Sequence, residues 1–200
     1  MSKKIILILS LLIIGILGRI IPHPPNVTPI IAIALLASHA FKNKWIAILI
    51  PLSGMWISDL VINNYLYAGY YDKFVFFASG SLWIYGAILL TVFLGKILIR
   101  HIKLSTVFLS SITSSFFFFI ITNFGVWFSS IMYPKSLLGL IECYTLAIPF
   151  FGNALIGDLI YSMVLFLGYS LAFSNIFELR ESRSSPNRRK SNGRSEYSHQ

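Results

Sequence analysis

Acidic residues are scarce: seven Asp and Glu among 200 positions, against sixteen Lys and Arg, with charged residues making up only 12% of the chain. So little charge cannot cover a water-soluble domain that is 56% apolar and 16% aromatic, so lipid must be the solvent for most of the length. Cysteine is nearly missing. Cys143 stands alone, which excludes an internal disulfide, and no metal or nucleophile motif accompanies it. The histidines, His23, His39, His101 and His199, are scattered over loop, helix, inner loop and tail, giving neither a Ser/His pair nor metal-ligand spacing. A phosphate-cradling glycine loop is lacking too, and the sequence implies no catalytic residue, metal or cofactor.

What is present is a series of long apolar runs, with a mean hydropathy of +0.76. A hydrocarbon core about 30 Å thick needs about 20 helical residues. Six stretches approach that length: Ile5 to Ile21, Val27 to Phe41 (the shortest), Trp45 to Leu66, Phe74 to Leu98, Leu104 to Ser130, and one ending near Phe173. The first has the length and basic flank of a signal-peptide core. Arg19 and Pro22 follow without a small-residue cleavage site, so an uncleaved helix is expected. Pro149 lies within the last stretch and predicts a short surface or re-entrant piece over Leu137 to Ile148, with a spanning helix from Phe150.

The net charge of +9 does not point to nucleic acid, because the basic residues sit between apolar runs and in the tail rather than on one aromatic-laced face. With the N-terminus inside, short inner segments hold seven basic residues (Lys3, Lys4, Lys42, Lys44, Lys96, Arg100 and Lys103) against three outside, Arg19, Lys73 and Lys135. The expected fold is therefore an all-α multi-pass protein of a bacterial inner membrane, with about six transmembrane helices over residues 1–177 and both ends in the cytoplasm. Residues 178–200 change to Ser, Arg, Asn and Glu and read as a disordered basic cytoplasmic tail. Arg188, Arg189 and Lys190 there read as a topology anchor or a site for anionic lipid.

An acidic side chain in hydrocarbon costs on the order of 3 kcal/mol unless paired, protonated or wet. Asp59 and Asp158 both sit inside apolar runs, at about 10 and 12 Å from the outer ends of their helices. Other polar groups collect on that side: Arg19, His23 and Asn26 around a proline-stiffened loop, Asn123 and Trp127 on the fifth helix, Asn153 on the last. These eight are the candidate site for a small solute, with charged groups for countercharge, amides for orientation and the indole for stacking. Each also has a purely structural reading. Trp127 fits an interfacial aromatic belt, Arg19 can snorkel, His23 can be solvated, and the asparagines can join helices.

A short echo links Ile50-Pro51, Gly54 and Asp59 to Ile148-Pro149, Gly152 and Asp158, on helices of opposite direction, as an inverted repeat of three-helix halves requires. Small residues in the second helix (Ala32, Ala34, Ala37, Ser38 and Ala40) allow close packing first and partner contact second.

Arg19 to Pro29 (RIIPHPPNVTP), Ser58-Asp59-Leu60, Thr122 to Trp127 (TNFGVW), Tyr133-Pro134-Lys135 and Cys143 to Phe151 (CYTLAIPFF) resemble an uncharacterised family of small bacterial six-span membrane proteins. That family in turn looks like the substrate-binding S components of energy-coupling-factor vitamin transporters. The resemblance implies an uptake subunit with an outer solute pocket and a separate coupling ATPase and transmembrane module. The chain departs from S components at the first helix, where Ile5 to Gly18 contains no alanine and hence no Ala-x-x-x-Ala contact motif.

Two other classes compete with transport. Two intramembrane aspartates, one in Ile156-Gly157-Asp158, suggest an aspartyl protease, whose dyad would have to share a proton. A non-transporting scaffold would use the same polar groups for interhelical bonds.

Overall fold

A computed structural model describes residues 2–184 of the chain, with side chains through residue 172. Among these residues there is no strand. The chain forms α1 (Lys3–Ile20), α2 (Ile30–Ala40), α3 (Lys44–Val61), α4 (Ser81–Leu98), α5 (Leu104–Ser129) and α6 (Leu137–Ser184). It divides into two compact units, Met1–Phe166 and Leu167–Gln200, the second consisting in its described part of the end of α6. The sequence expectation of a tail from residue 178 falls mostly on 185–200, which with Arg188, Arg189 and Lys190 lies outside the described residues; 178–184 are helical.

Four helical stretches are long and apolar enough to cross a membrane: Lys44–Leu66, Ser81–Leu98, Leu104–Ser129 and Leu137–Ala172. Large apolar side chains stand outward along them, among them Leu49, Leu82, Phe93, Leu109 and Val164, as a lipid surround requires. α1 has 18 residues but carries Lys3, Lys4 and Arg19.

The second helix is shorter than its apolar run. α2 has 11 residues, about 16 Å of rise, which does not reach across a hydrocarbon core. It is instead the centre of the first unit, with Ile30 through Ser38 all buried. It packs on α3 and α4, and Ala32, Ala34, Ala37 and Ser38 are all at 0% exposure. These four small residues are therefore used inside the chain, while Ala40 at the helix end is half-buried. At its C-terminus, where helix carbonyls are left without partners, the Lys96 ammonium of α4 donates to Ser38 O and Phe41 O, both at 3.1 Å.

Two boundaries differ from the sequence reading. α4 begins at Ser81 rather than Phe74, because the apolar residues before it are held in a loop. The Asn64 amide exchanges hydrogen bonds with Val75 (Nδ2 to O 2.9 Å, N to Oδ1 2.7 Å), the Trp56 indole donates to Phe76 O at 3.2 Å, and Gly80 enters the helix with φ 83. The re-entrant piece expected over Leu137 to Ile148 is instead the first part of one helix that runs through Pro149. Proline removes one N–H from the ladder, whereas a break inside lipid would strand several backbone groups, so continuing the helix costs less.

Candidate functional site

The site grows from the crossing of α1 and α3. Gly15 and Gly54 face each other there, and a Cβ built on Gly15 would lie 3.8 Å from Gly54 Cα. With no side chains between them the two helices run close, and Arg19, one turn further on, reaches α3. Its Nη1 donates to Asp59 Oδ1 at 2.6 Å, to Ser58 Oγ at 2.6 Å and to Met55 O at 3.0 Å. The two charged side chains are 15% and 14% exposed, so this is a mostly desolvated ion pair. All these bonds leave from Nη1 and leave the rest of the guanidinium unengaged by α3.

Asp158 lies across the bundle on α6 and is 4% exposed. Its Oδ2 is 2.6 Å from the Ser115 hydroxyl of α5, which also lies 2.9 Å from Ser111 O. One turn away the Ser162 hydroxyl meets that of Ser111 at 3.3 Å. Among the described residues, no lysine or arginine pairs with Asp158. The first loop is pressed against α6 at this level. A Cβ on Gly157 would sit 2.9 Å from Val27 Cγ1 and 3.1 Å from Val27 Cα, so the loop backbone reaches its place only because position 157 has no side chain. Asn26, next to Val27, adopts a left-handed conformation at φ 66, one that asparagine tolerates better than most residues.

Between these elements lies a cavity of about 320 Å³, at the low end of the range for small-molecule sites. Arg19, Asn26 and Thr28 line one side, and Ser115, Thr122, Asn123 and Asp158 contribute the other polar groups. The remaining wall is apolar, with Phe118, Phe119, Phe150 and Phe151 from α5 and α6 and Ile30, Ile31, Met55 and Ile84 from α2, α3 and α4. The last residues of α1 and the first of α2 and α4 meet here, so the cavity lies toward the bundle end that carries the proline loop.

Four of the eight sequence candidates line this cavity: Arg19, Asn26, Asn123 and Asp158. Asp59 stands behind it as the partner of Arg19. The other three are placed elsewhere. His23 turns back on its own loop, with Nδ1 2.8 Å from Pro24 O. The Trp127 indole donates to Pro134 O at 2.9 Å, and Lys135 binds Trp127 O with its ammonium 5.7 Å from the ring centroid, so the tryptophan closes the α5–α6 connection rather than stacking on a ligand. Asn153 is not among the α6 residues that line the cavity, which are 147, 150, 151, 154 and 158, a stripe at helical spacing whose centre lies on another face from position 153. The aspartates are held by different partners, Arg19 and Ser115, and not by each other, so they do not form a proton-sharing dyad.

The sequence reading missed Ser115 and the four phenylalanines. Serines at 110, 111, 114 and 115 in an otherwise apolar helix were a usable signal, since hydroxyls at that spacing mark a face turned from lipid. The phenylalanines carried none, because a ring facing lipid and a ring facing a cavity are the same residue in sequence.

Over residues 1–182 the chain matches the model of a family of unknown function, DUF6580. Nothing among the curated proteins or the solved structures matches it.

Proposed function

We propose that this chain, which belongs to the DUF6580 family, is a multi-pass protein of the bacterial cell membrane that captures a small solute for transport. In this reading α1 and α2 complete a set of six crossings, the short helix of α2 being carried across by the non-helical residues that flank it, both chain ends are cytoplasmic, and the cavity lies on the outer side. The single observation that carries it is the joining of Arg19 and Asn26, from the first loop region, to Asp158, from the last helix, around one largely apolar cavity.

The distribution of charge supports the orientation. The cavity end carries three basic residues, Arg19, Lys73 and Lys135, against seven in the short segments of the other end. The opposite end keeps the basic loops. The absence of an alanine motif from α1 and the burial of α2's small residues leave any coupling module to be met by a different surface from that of S components.

Mass spectrometry of small molecules released from the purified protein tests the reading. A defined solute should be released by the natural chain and be missing from Ala154→Trp, which fills the cavity from its wall. An empty natural protein with a stoichiometric protein partner would replace solute capture with a scaffold.

A further inference from the structure

Charge around the cavity does not balance. Three ionisable side chains stand at or just behind its wall, and two of them cancel: Arg19 is bound to Asp59 at 2.6 Å. Asp158 is left with a neutral hydroxyl, Ser115 at 2.6 Å, on one oxygen. A carboxylate that is 4% exposed and has no counter-cation is costly in a low-dielectric surround, and Asp158 is the one acidic or basic group in the lining that lacks a partner of opposite sign.

We propose that the solute is an organic cation, an amine with an aromatic or other apolar body, whose ammonium seats on Asp158 while its body lies among Phe118, Phe119, Phe150 and Phe151. This deepens the reading of the cavity as a solute site and depends on it. An anion would meet an arginine already neutralised and would face the carboxylate. A bare inorganic cation would answer the charge but leave the aromatic wall unused. An ammonium uses both, since ring faces attract cations and apolar walls bury the rest of the molecule.

The test uses three probes of similar size and different charge on the purified full-length protein at neutral pH: 2-phenylethylamine, 2-phenylethanol and 3-phenylpropionate. Binding is read from the saturable rise in unfolding temperature in detergent. The amine should bind at least tenfold more tightly than the alcohol, and the acid should give no rise. In Asp158→Asn, whose amide can still meet Ser115, the preference for the amine over the alcohol should disappear while the unliganded unfolding temperature stays near that of the natural chain. Equal binding of alcohol and amine to the natural chain, or tightest binding of the acid, overturns the cationic assignment. If that binding is lost in Ala154→Trp, the cavity reading survives. If none of the three probes binds, both proposals fall.

Discussion

Arg19 and Asp59, forty positions apart in sequence, are joined by a 2.6 Å ion pair that clamps the end of α1 to α3. The same guanidinium forms part of the cavity wall, so the pair fixes the site's geometry as well as the helix crossing. Removing one partner leaves the other charge buried alone. Arg19→Ala and Asp59→Ala should each destabilise the protein by roughly 3 kcal/mol, while the double replacement should cost less than the sum of the two. Unfolding midpoints in detergent for the four proteins of this cycle measure the coupling, and additive losses would contradict it.

The close approach of the first loop to α6 makes position 157 intolerant of bulk. Gly157→Val should push Val27 and its neighbour Asn26 off the helix, lowering stability by about 1–3 kcal/mol and weakening solute retention. Gly152, where an added Cβ meets nothing within 4 Å, provides the control, since Gly152→Ala should be tolerated. Comparing unfolding midpoints and retained solute for the two variants checks the contact.

Lys96 should matter for stability although it lies far from the cavity. Its ammonium serves two carbonyls at the end of α2, so Lys96→Met, which keeps much of the apolar stem, should cost about 1–2 kcal/mol. Lys96→Arg should recover most of this. Thermal unfolding of the three proteins provides the comparison.

Orientation can be read directly on whole cells, because the one native cysteine, Cys143, is buried. Lys73→Cys should react with a membrane-impermeant maleimide in intact cells, and His101→Cys only after permeabilisation. The reverse pattern would place the cavity on the cytoplasmic side.

Physical cost explains which parts could be read from sequence. α5 lies almost where its apolar run does, because a long segment between basic residues has few alternatives in lipid. The start of α4 was hidden because Phe74, Val75, Phe76 and Phe77 are as apolar as a helix. Only the side chain of Asn64 and the indole of Trp56, reaching from another element, hold them in a loop. The site follows the same division. Arg19 and Asp158 stood out because charge in oil is expensive, and Asn26 and Asn123 followed from their place beside the same end. Trp127, His23 and Asn153 were equally polar, but each orientation depends on a loop carbonyl or a helical phase that charge and hydropathy do not encode.

The burial of α2 has a consequence for biogenesis. Eleven residues flanked by Pro29 on one side and lysines on the other cannot dwell alone in a bilayer, yet this segment is the most enclosed part of the molecule. Its enclosure is supplied by α3 and α4, both later in the chain, so α2 is shielded only once they have packed around it. The innermost helix of the first unit therefore settles after two helices that follow it in sequence.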